Sequence, residues 1–223
     1  PLARIGILGG SFNPIHLGHL LLADEIRERL NLDQVLFVPA ALPPHKPRRE
    51  LASPEHRHAM VRLAIAGHSG FAVSELELRR PGPSYTVDTL LELRLGTGSS
   101  GDPFLLLGSE TFLDLPSWRE PARIAQLARL VVIPRAGIPF DPEGEEAMRI
   151  LREIGQEMFV PIALSGNVPT LPARGVLLVP ATSLPISASD LRRRAREGRS
   201  LSFRVPAAVE AYILEHKLYR EET

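Results

Sequence analysis

Gly6-Ile7-Leu8-Gly9-Gly10-Ser11-Phe12-Asn13-Pro14-Ile15-His16-Leu17-Gly18-His19 runs from an apolar stretch into a Gly/Ser/Asn/Pro turn and then into a helix that opens with His-x-Gly-His. Such a join suits an anion. Glycines let backbone N–H groups approach a phosphate closely. A helix N-terminus adds unpaired donors and the positive end of the helix dipole. His16 and His19 are three residues apart, so both imidazoles share one helical face. Each part alone has an ordinary explanation: Gly-Gly-Ser is a turn, and a histidine near a helix start caps it or lies on the surface. The i, i+3 pair also has metal-ligand spacing, but the motif holds no acidic residue and the chain no cysteine, so no protein-held metal is expected. The combination in this order points to a phosphate-handling turn.

The neighbouring segments give this turn a place in a fold. Residues 3–8 read as a short buried strand. Leu17, Leu20, Leu21, Ala23, Ile26 and Leu30 recur at helical spacing, and Val35-Leu36-Phe37-Val38 is a second strand. Strand–helix–strand favours a parallel sheet, with ligand at the carboxyl ends of its strands. The alternation continues. Helices are expected at 54–66 (Ser53 as N-cap, Pro54 at the first turn), 86–94, 121–127, 143–155, 188–197 and 206–215. Strands are expected at 71–78, 104–107, 130–133 and 176–179, while 159–175 has no clear pattern. The prediction is an α/β fold: one doubly wound parallel sheet in a single domain, with a core over 1–182 and a C-terminal helical part over 183–223.

Composition narrows the function. A chain of 223 residues can bury a full core. The 26 basic residues balance the 26 acidic ones, so neither nucleic acid nor an anionic membrane is an expected partner. With no cysteine, disulfides, thiol catalysis and cysteine-based zinc sites are excluded. No secretory leader or apolar run near membrane-spanning length is visible, so a soluble cytoplasmic protein is expected.

Further segments could serve the same site. Pro43-Pro44-His45-Lys46 follows the second strand, where an ammonium is a natural phosphate partner or simply a solvated loop lysine. Glu77-Leu78-Arg79-Arg80-Pro81-Gly82-Pro83-Ser84-Tyr85-Thr86-Val87-Asp88-Thr89-Leu90 ends by opening a helix. Its hydroxyls and N–H groups can meet a carboxylate or phosphate. There Asp88 reads as a helix-end charge, and Thr89 and Leu90 as packing. Leu107-Gly108-Ser109-Glu110 and Leu115-Pro116-Ser117-Trp118-Arg119 follow a strand end. Trp118 can stack on a planar heterocycle or cap the core. Arg135, after the next strand, suits bidentate phosphate binding or the surface. In Pro185-Ile186-Ser187-Ala188-Ser189-Asp190-Leu191-Arg192, a serine caps a helix that carries Arg192 on its first turns.

These segments together resemble the nucleotidylyltransferase superfamily, which shares a Rossmann-like fold and an H-x-G-H signature. Among its branches the chain is most similar to the bacterial nicotinate-nucleotide adenylyltransferases. The resemblance runs from Gly6 to Tyr219. It implies transfer of the adenylyl group of ATP to nicotinate mononucleotide, giving nicotinate adenine dinucleotide and pyrophosphate in NAD biosynthesis. It implies catalytic roles for His16, His19, Lys46 and Arg192. ATP would meet Gly9, Gly10, Ser11, Phe12, His19, Glu110, Ser187 and Arg192. The mononucleotide would meet Ser11, Lys46, Tyr85, Thr86, Trp118 and Arg135. Mg²⁺ would be held mainly by substrate phosphates. Two departures stand out: Glu110 replaces the family's Asp, and Ala188 interrupts the usual I-S-S-T. Ser187 and Arg192 keep their places there. Rival readings are a relative acting on nicotinamide mononucleotide or phosphopantetheine, or a non-catalytic nucleotide-binding module. A tRNA synthetase is disfavoured by the short, neutral chain. Oligomeric state is left open, a homo-oligomer included.

Overall fold

A computed structural model describes residues 4–44, 51–97, 102–135, 137–163, 172 and 174–220. The elements run β1 (Ile5–Gly10), α1 (Leu17–Arg29), β2 (Gln34–Pro39), α2 (Pro54–Ile65), β3 (Phe71–Val73), α3 (Leu76–Arg79), α4 (Thr86–Thr97) and β4 (Phe104–Gly108). Then come α5 (Ser109–Asp114), a 3₁₀ turn at Leu115–Ser117, α6 (Pro121–Leu127), β5 (Arg129–Ile133), α7 (Glu145–Glu153), β6 (Met158–Pro161), β7 (Gly175–Leu178), α8 (Ala188–Arg196) and α9 (Ala207–Glu215). The seven strands form one parallel sheet in the order β3-β2-β1-β4-β5-β7-β6.

Both faces of the sheet are covered, because successive strand residues point to opposite sides. In β4, Phe104 and Leu106 join one core while Leu105 and Leu107 join the other; β5 divides Val131 and Ile133 from Leu130 and Val132 in the same way. The first core is closed by α1, α2, α8 and α9 through Ile26, Met60, Leu191 and Val209, among others. The second is closed by α4, α5, α6 and α7 through Leu90, Phe112, Ile124 and Ile150. The C-terminal helices therefore lie in the same layer as the helix of the His-x-Gly-His motif.

Several elements differ from the sequence expectation. The strand expected over 71–78 stops at Val73. Ser74 N–H donates to Phe37 O at 2.8 Å, and the Ser74 hydroxyl then accepts from Leu76 N–H, starting α3. β1 extends to Gly10, so both glycines belong to the strand end. α5 follows β4 without a loop, and β6 arises inside the stretch without a clear pattern. That strand is paired on one side only, to β7, and its residues are exposed or half-buried, so it carries no run of fully buried residues.

Candidate active site

Sheet order reverses between β1 and β4, and at their carboxyl ends lies a cleft of about 880 Å³. This is where an open parallel sheet leaves room for a ligand, and the volume is that of a small-molecule site. Gly9, Gly10, Ser11, Phe12, His16, His19, Tyr85, Thr86, Glu110, Trp118, Arg135 and Ser187 all line it. Segments far apart in the chain thus meet at one place. Arg192 does not line the cleft; its guanidinium donates to Asn13 O at 3.0 Å, one residue removed from Phe12. His45 and Lys46 lie outside the described residues.

The glycine turn is shaped by close packing. A Cβ at Gly10 would come within 3.2 Å of the Phe12 ring, and Phe12 takes φ +45°, a left-handed conformation unusual for a bulky residue. A Cβ at Gly9 would meet nothing within 4 Å, so the backbone there faces open space. At Gly18 a Cβ would lie 3.0 Å from His16 Nδ1. The glycine inside His-x-Gly-His thus makes room for the first imidazole.

The two imidazoles differ. His16 is the N-cap of α1 and only 5% exposed. Burial, reinforced by the charge of Arg135, pulls its pKa down to about 4, so the ring is neutral near pH 7. His19 stacks on it with ring centroids 3.8 Å apart, and the His16 backbone N–H donates to His19 Nδ1 at 3.3 Å. A neutral His19 accepting at Nδ1 carries its proton on Nε2, which makes Nε2–H a donor.

Across the cleft, α4 begins at Thr86. Ser84, expected to help meet ligand, lines the cleft and is also bonded to protein: its hydroxyl accepts from Leu42 N–H at 3.2 Å and its N–H donates to Leu42 O at 3.0 Å. This ties the exit of β2 to the start of α4. Thr89, expected as packing, is a buried polar residue whose hydroxyl donates to Glu77 Oε1 at 2.5 Å and accepts from Arg80 at 3.1 Å. Burial raises the Glu77 pKa against the opposing pull of its Thr89 and Ser84 hydrogen bonds. Arg119 lies 5.0 Å over the Tyr85 ring and 3.7 Å from Asp88, beside Trp118. Glu110 faces Arg135 at 3.4 Å, and Ser187 caps α8 by accepting from Asp190 N–H.

Sequence reasoning gave no role to Asn13, Glu77 or Arg119, which line the cleft, or to Arg57 behind it. Arg57 did leave a signal: with Met60, Val61 and Ile65 it occupies the buried stripe of α2 at i, i+3, i+4 and i+8, where a charge is out of place. Among the described residues no three His, Asp or Glu side chains gather as a metal site, and no helix is long and apolar enough to cross a membrane.

A seven-stranded parallel sheet of this order, flanked by helices on both faces, is the fold of a Rossmann-like nucleotidylyltransferase. The cytidylyltransferase-like family model matches residues 7–194. A Thermomicrobium roseum protein bearing the name "Probable nicotinate-nucleotide adenylyltransferase" is 43% identical over 219 residues, covering 98% of this chain and 92% of its own. A Thermus thermophilus protein of the same name is 44% identical, covering 97% of this chain and 100% of its own. The chain belongs to the nicotinate-nucleotide adenylyltransferase family. Its fold matches a Plasmodium falciparum nicotinic acid mononucleotide adenylyltransferase complexed with NaAD, with a TM-score of 0.73, 20% identity and 97% of each chain covered.

Proposed function

We propose that this cleft joins ATP to nicotinate mononucleotide, releasing nicotinate adenine dinucleotide and pyrophosphate. One observation carries the reading: segments spread from Gly9 to Ser187 converge on a single cleft in a chain of this family. A 5′-phosphate oxygen of the mononucleotide attacks the α-phosphorus of ATP. The new P–O bond forms as the bond to the bridging oxygen of pyrophosphate breaks, and that oxygen leaves with the electron pair. The nucleophile is already an anion, so no strong base is needed, and the protein's task is alignment and charge neutralisation.

Within that scheme His19 Nε2–H donates to a phosphate oxygen of the transferring group. His16, neutral and buried, holds His19 through ring stacking and its backbone N–H. The glycine turn at Gly9–Phe12 supplies the amide surface for phosphates common to both substrates. Arg135 and Lys46 serve the mononucleotide phosphate, and Arg192 and the Ser187 end of α8 serve the leaving pyrophosphate. Glu110 faces the adenosine portion. Trp118 stacks on the nicotinate ring, whose carboxylate meets Tyr85 and Thr86 at the start of α4. Mg²⁺ would be held here mainly by phosphate oxygens and water, the coordination that its small size and retained waters favour. Bound there, it would offset phosphate charge. ATP is the co-substrate, and a cytoplasmic setting is part of this proposal.

The test is pyrophosphate release with ATP and Mg²⁺, comparing nicotinate mononucleotide, nicotinamide mononucleotide and phosphopantetheine. Strong preference for the first is expected. Preference for the amide would overturn the substrate assignment and keep the chemistry; turnover of phosphopantetheine alone would overturn the reading of Tyr85 and Trp118. No turnover with any of the three would leave a nucleotide-binding module.

A further inference from the structure

Arg57 stands on the first turn of α2 and is fully buried. Among the described residues no carboxylate forms an ion pair with it. Its guanidinium is instead satisfied by four backbone carbonyls: Nε donates to Ala52 O at 2.9 Å, Nη1 to Ser11 O at 2.8 Å and Ala40 O at 2.6 Å, and Nη2 to Ala41 O at 3.0 Å. Burying an unpaired cation is expensive, and a planar five-donor fork is the side chain best able to satisfy several carbonyls at once.

The acceptors are not scattered. Ser11 is the turn after β1, Ala40 and Ala41 are the exit of β2, and Ala52 leads into the α2 cap. Ser11 and Ala40 line the cleft. Ala52 is also gripped from its other side, its N–H donating to Asn13 Oδ1 at 3.0 Å, and that same oxygen accepts from the Tyr219 hydroxyl at 2.9 Å. Residues 11 and 13 are therefore both anchored, directly or through Ala52, on either side of the left-handed Phe12. We infer that Arg57 is a positioning residue for the phosphate turn: it fixes the peptide planes beneath the two nucleotides' phosphates and places a buried positive charge behind them, without touching substrate. This rests on the adenylyl-transfer reading above.

A staple that only held the fold together would alter melting and nothing else. A positioning residue predicts a different pattern. Arg57→Lys keeps a charge but has three donors on one atom in place of the planar fork. In protein with wild-type circular dichroism, kcat/KM for ATP and for the mononucleotide should fall together by about 10²-fold, the scale of a misplaced reacting group. Pyrophosphate, titrated by calorimetry, should bind about tenfold more weakly or worse. Folded Arg57→Lys with wild-type kcat/KM and pyrophosphate affinity would overturn the inference. Should that variant fail to fold, the ¹⁵N-labelled wild-type chain decides: the Arg57 Nε and Nη proton resonances should shift when pyrophosphate is added, and unmoved resonances overturn the inference. If the wild-type chain turns over none of the mononucleotides, the adenylyl-transfer reading falls. The pyrophosphate titrations still report whether Arg57 is coupled to an anion site.

Discussion

Acid should unfold this protein through His16, and His16→Asn isolates the effect. In the folded chain burial and the charge of Arg135 hold the His16 pKa at about 4, against the ordinary histidine value of 6.5. Between those values the unfolded chain binds a proton that the folded chain refuses, so stability falls as pH falls from about 6.5 towards 4. At pH 7 the contribution is small, about 0.2 kcal/mol. At pH 5 the unfolded chain gains about 2 kcal/mol from protonating this one side chain. Asparagine keeps a preferred N-cap type and cannot titrate. Urea unfolding of both proteins at pH 7 and pH 5 should therefore show wild type losing about 2 kcal/mol more than His16→Asn over that interval. Taking the difference between the two proteins removes the other acid-sensitive groups, His58 and Glu77 among them. Equal losses would show that His16 protonates freely in the folded state, and the neutral stacked pair would be refuted.

Other outcomes follow from the same geometry. His19→Ala should lower kcat by about 10²-fold or more with little change in melting temperature, as expected for loss of a transition-state donor; near-wild-type turnover would remove it from the chemistry. Trp118→Ala should raise KM for the mononucleotide far more than KM for ATP, and equal rises in steady-state assays would make the indole a packing residue. Thr89→Val keeps the shape but removes one of the two hydroxyl donors to buried Glu77, leaving Ser84, so urea unfolding should show a loss of about 1–3 kcal/mol. An unchanged midpoint would mean that the Glu77–Thr89 contact contributes nothing.

What local order could carry was legible early. The β1–α1–β2 unit was readable because a buried parallel strand is a continuous apolar run and α1 repeats its apolar residues at helical spacing. The Ser53-Pro54 start of α2 was readable because a cap and a first-turn proline act within a few residues. The glycine turn and the two histidines were readable for the same reason: N–H density and imidazole spacing are properties of adjacent residues. β3 could not be bounded from sequence, because its end is set by Ser74 bonding to Phe37 on another strand. Nor could β6, whose residues are only partly covered.

The remaining decisions belong to tertiary structure. Sequence supplied two histidines; only folding made them unequal, by burying His16 near Arg135 and stacking His19 upon it. Ser84, a candidate ligand donor by type, was also made a tie to Leu42 once α4 was brought beside the β2 exit. Arg57 is one more arginine among many in the sequence, yet the fold removes its solvent and leaves it four carbonyls from residues 11, 40, 41 and 52. Residue type and spacing determine what a group can donate or accept. Burial and long-range partners determine its charge state and what it holds, and those arise only when distant segments pack together.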